Sequence, residues 1–66
     1  MSNYIIVSNS INILDMAARR IGGEYLEIFI KYLNEIRKYP NYNFPNELVR
    51  ELTQVASEVK EKYLSY

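Results

Sequence analysis

Residues 24–39, EYLEIFIKYLNEIRKY, carry the reading on which the fold turns. Leu26, Phe29, Leu33 and Ile36 recur at steps of three and four, the spacing of one helical face. Tyr25, Ile28 and Tyr32 form a second apolar row beside the first. Glu27, Lys31, Asn34 and Lys38 fall on the opposite side, and Ile30 lies outside both rows. The pattern predicts a helix over 24–39, with Phe29 and Leu33 in the core. An apolar face this wide needs more than one neighbour.

Downstream, Pro40 closes that helix, because the residue before a proline is pushed out of helical geometry. Asn41-Tyr42-Asn43-Phe44 reads as a connecting loop. Pro45 suits a first helical turn, and Glu47 suits the helix dipole. A helix over 45–64 follows, with Leu48, Leu52, Val55, Val59 and Tyr63 as its buried stripe. Upstream, Gly22-Gly23 ends a helix over 10–21, whose apolar row is Ile11, Leu14, Ala18 and Ile21. Ser8 or Ser10 is placed to cap it.

Residues 3–8 are Asn-Tyr-Ile-Ile-Val-Ser, a β-branched and aromatic run bounded by small polar residues. That composition favours a short strand, and a lone strand must pair with the same strand of a second copy. The other readings are a frayed tail or the leading turn of the first helix. The expected architecture is therefore mainly α: a short N-terminal strand, then three helices, in an intertwined homodimer. All 66 residues belong to one small domain.

Composition narrows the chemistry. The chain has no cysteine and no histidine, so disulfides and the usual sulfur and imidazole metal ligands are unavailable. No metal or other cofactor is expected. A domain this short buries only about 60% of its unfolded surface, which favours association with a second subunit. Eight basic residues balance eight acidic ones, leaving room only for a local basic patch. No segment reaches the ~18 apolar residues of a membrane span. The run Tyr4-Ile5-Ile6-Val7 is too short for a signal-peptide core, so a cytoplasmic location is expected. The serines have no histidine to activate them, and Glu47, Glu51, Glu58 and Glu61 read as solvated surface. A non-enzymatic binding protein is the expectation.

Two features suggest binding. Arg19-Arg20 before Gly22-Gly23 offers cations and free helix-opening amides to phosphate; the bland alternative is a basic helix end favoured by the dipole. Tyr39, Tyr42 and Phe44, interleaved with Asn41 and Asn43, suit stacking or docking, or else fold under the helices they join.

The stretch Leu14-Asp15-Met16-Ala17-Ala18-Arg19-Arg20-Ile21-Gly22 resembles the first helix and turn of the ribbon-helix-helix family of DNA-binding dimers. The resemblance covers residues 3–39 and leaves 45–64 as an extension. It implies that the strand pairs antiparallel with its copy and enters the major groove of duplex DNA. Ser2, Asn3, Tyr4, Ile6 and Ser8 then face DNA, with Arg19, Arg20 and Gly23 at its phosphates. Ile5, Val7, Tyr25, Leu26, Ile28, Phe29, Tyr32, Leu33 and Ile36 become the dimer interface. The residues themselves leave a second function open. In it, helices 24–39 and 45–64 form a hairpin that dimerises into a four-helix bundle and binds another protein.

Overall fold

The computed structural model describes residues 3–64, which form three α-helices: α1 Tyr4–Arg20, α2 Glu24–Ile36 and α3 Asn46–Leu64. The expected strand over 3–8 is not formed. Those residues open α1 instead, with Asn3 at the N-cap position and the Val7 N–H donating to the Asn3 carbonyl at 3.0 Å. Ser8 and Ser10 consequently lie inside the helix and do not cap it.

The reason is periodicity continued backwards. From Leu14, steps of three and four reach Ile11 and then Val7, so the N-terminal run extends the buried row of the helix it precedes. A strand would put Ile5 and Val7 on one face. In the helix they part: Val7 is 2% exposed and Ile5 is 71% exposed. Helical geometry also satisfies the backbone locally, where a lone strand would leave its hydrogen bonds unmade.

α1 ends at Gly22-Gly23, both with positive φ (73° and 59°). The chain reverses there and α2 runs back along α1. Regular helix stops at Ile36, short of the expected Tyr39. Residues 37–39 tighten into i→i+3 turns, with Lys38 N–H to the Glu35 carbonyl at 3.3 Å and Tyr39 N–H to that of Ile36 at 3.1 Å. Pro40 accounts for the stop, since its ring disfavours helical geometry at Tyr39. α3 then returns parallel to α1. At one end the Arg20 guanidinium lies 5.7 Å from the Tyr63 ring, and at the other Tyr4 meets Tyr42 with ring centroids 4.9 Å apart.

The result is an up-down-up bundle in which α1 packs against both other helices. Val7, Leu14 and Ala17 of α1, Tyr32 of α2, Leu52 and Val59 of α3, and Phe44 from the loop make the buried core. The small side chains Ala17, Ala18 and Ala56 are also buried and let the backbones approach.

This packing corrects the intertwined dimer. The wide apolar face of α2 does find more than one neighbour, but the core it joins belongs to its own chain. Val7 and Tyr32 are buried within it, and Tyr25, Ile28, Phe29 and Ile36 pack partly buried against it. Of the expected interface, Ile5 and Leu26 remain exposed and Leu33 half-buried. Among the described residues, no helix is long and apolar enough to cross a membrane.

Candidate functional site

Two surface features stand out once the bundle is built. One is an open cleft of about 430 Å³ where the start of α1, the end of α2 and the connecting loop meet. Its floor is apolar, made by Val7, Ile11 and Phe44. Tyr4 and Tyr42 stand at its edge, packed edge-to-face at an interplanar angle of 65°. Among the described residues that line it, Arg37 is the sole charged side chain.

The loop builds this edge at some torsional cost. The Tyr42 N–H donates to the Tyr39 carbonyl at 3.0 Å, closing a turn across Pro40 and Asn41. Tyr42, the last residue of that turn, has φ 59°, a left-handed conformation that costs a non-glycine residue about 1–2 kcal/mol. Tyr39 and Phe44 take the other course considered for these aromatics. Phe44 is buried and Tyr39 half-buried beneath the helices, with ring centroids 6.2 Å apart.

The second feature lies on α2. Leu26 and Ile30 are 45% and 47% exposed and, with half-buried Leu33, form a row at steps of four and three along one side of the helix. The opposite flank of α2 is occupied: the Tyr32 hydroxyl donates to Glu51 Oε1 at 2.8 Å, tying α2 to α3.

That bond carries a pH dependence. Burial, and then the hydrogen bond and charge of Glu51, push the Tyr32 phenol from its ordinary value near 10 up to about 12. The folded state therefore holds its proton more tightly than the unfolded state does. The resulting stability is fully present below pH 10 and disappears as pH rises through 12. Tyr32→Phe is expected to cost about 0.5–1.5 kcal/mol at neutral pH, because water can still solvate exposed Glu51. Urea titrations at pH 8, 10 and 11.5 check this: the gap between wild type and variant should close at the alkaline end.

The residues expected to meet DNA are not brought together. Tyr4, Ile6 and Ser8 sit on a helix, so Tyr4 and Ser8 share one side while Ile6 points elsewhere. Asn3 is half-buried at the helix start, and Ser2 lies outside the described residues. Arg19, Arg20 and exposed Gly23 are at the other end of α1, about 24 Å away at 1.5 Å per residue. Arg19 is bonded to Asp15 at 2.8 Å, which holds its guanidinium more firmly protonated, and Arg20 stacks over Tyr63. Sequence reasoning set Ile30 outside both rows without giving it a role, and passed over Arg37. The available signals were Ile30 standing outside both apolar rows, and Arg37 falling four residues after Leu33.

No protein-family model matches this chain, and no curated protein or solved structure does either. Its class rests on its own geometry: a small three-helix bundle with an aromatic-edged cleft and an exposed aliphatic row on α2.

Proposed function

We propose that this chain is a cytoplasmic, non-enzymatic interaction protein that works as a homodimer. In this reading the Leu26–Ile30–Leu33 row of α2 packs antiparallel on the same row of a second copy. The exposed row is the observation that carries it. Two adjacent large aliphatic positions nearly half exposed, beside a third half-buried, on a helix otherwise spent on its own core favour burial against a matching surface.

Antiparallel pairing is favoured by charge. α2 carries Glu24 and Glu27 in its first turn and Arg37 and Lys38 just past its last; Lys38 pairs with Glu35, which leaves Arg37 as the net positive charge at that end. Reversing one copy sets acid near base at both ends and opposes the two helix dipoles. The arrangement differs from a bundle of two hairpins, since each copy brings α1 as well.

DNA recognition lacks the paired ribbon that the family resemblance requires, because residues 4–20 are one helix. The test serves both readings. Light scattering at ~100 µM should return twice the 7.8 kDa chain mass for wild type and the single mass for Ile30→Glu, with the helical spectrum unchanged. A wild-type chain that stays at the single mass refutes the dimer. A shift of duplex DNA that fades steeply with salt would return the chain to the nucleic-acid class.

A further inference from the structure

We propose that the cleft between α1, the end of α2 and the connecting loop binds a small carboxylate with a flat, apolar body. The proposal uses different residues from the α2 row and does not depend on self-association. A volume of about 430 Å³ lies within the range of small-ligand pockets. The apolar floor of Val7, Ile11 and Phe44 suits a planar hydrophobic group, and Tyr4 and Tyr42 offer ring faces and edges at the mouth.

Arg37 supplies the choice of charge. The exposed Arg37 guanidinium takes part in neither the Arg19–Asp15 nor the Lys38–Glu35 ion pair, and no carboxylate among the described residues holds it. Among the described residues no acidic side chain lines the cleft to repel an anion. A guanidinium forks naturally onto a carboxylate, with two parallel N–H donors. Ser8 and Asn12 on the α1 wall are neutral and can donate to the same group. Tyr42 adds an independent sign. A tyrosine held at φ 59° at the rim is the kind of strained residue that clusters at ligand clamps.

The experiment is an amide NMR titration of the full chain with indole-3-propionate, its neutral amide, and a repeat on Arg37→Gln. The expected result is saturable shifts at Ser8, Ile11, Tyr42 and Phe44 by about 1 mM acid. Binding should weaken about tenfold both in Arg37→Gln and with the amide, while Arg50→Gln behaves as wild type. Arg37 and Arg50 are both exposed, so neither change should unfold the chain. If Arg37→Gln does unfold, the acid-against-amide comparison on wild type still decides. Equal binding of acid and amide overturns the proposal, as does an absence of shifts at ten times that concentration. Broadening of the same amides as the protein alone is concentrated would assign the cleft to a second copy and also overturn it.

Discussion

The Leu14→Ala chain is expected to lose about 2–5 kcal/mol of folding free energy, the range for emptying a well-packed leucine site. Leu14 is 1% exposed and lies midway along α1, the helix that both others pack against. It shares one buried cluster with Tyr32 of α2 and with Leu52 and Val59 of α3, so the void opens inside the core common to all three helices. A 66-residue domain holds about 3–10 kcal/mol in all, at roughly 0.05–0.15 kcal/mol per residue. The variant should be largely unfolded near room temperature or melt far below wild type. Leu52→Ala, at 0% exposure on the facing helix, should behave alike. Circular dichroism during urea titration measures both, with the exposed Ile5→Ala as a control that should stay within about 0.5 kcal/mol of wild type. Should Ile5→Ala prove the more damaging change, the N-terminal residues would not be packed as α1.

Gly23→Ala is the second large effect, and its cause is torsional. Gly23 has φ 59° and ψ −128°, a region that a side chain makes costly by about 1–3 kcal/mol. Nothing lies within 4 Å of where its Cβ would stand, so no clash confuses the result. At about 4–8 °C per kcal/mol for so small a domain, the melting temperature should fall by several degrees at least. Gly22→Ala, at φ 73° with the Ala18 carbonyl 3.9 Å from the added carbon, should cost about 1–2 kcal/mol. A D-alanine at position 23 of the synthetic chain accepts positive φ and should recover most of the loss. If L- and D-alanine melt together, the reversal between α1 and α2 is made some other way.

Most of the helical content was legible in the linear pattern because its causes are local. Steps of three and four from Leu26 to Ile36 and from Leu48 to Tyr63, with Gly22-Gly23 and Pro40 as breaks, mark helices without reference to anything distant. The width of the α2 face called for more than one neighbour; α1 covers most of what is covered, and α3 meets it through Tyr32. Its surroundings could not be read the same way, since nothing in a periodicity says whether they belong to the same chain or to another.

What the sequence determined by itself was therefore the central and C-terminal helices, the breaks between elements, and the lack of cysteine and histidine chemistry. Tertiary structure decided the rest. Ile5-Ile6-Val7 is compatible with strand or helix on local grounds, and burial of Val7 in the core cluster that also holds Leu14 and Leu52 selects the helix. The same packing hid Tyr32 and Phe44, left Leu26 and Ile30 outside, and set Arg37 at the rim of a cleft shared by three segments. Backbone preference acts over a few residues, whereas burial depends on which distant side chains arrive at the same place.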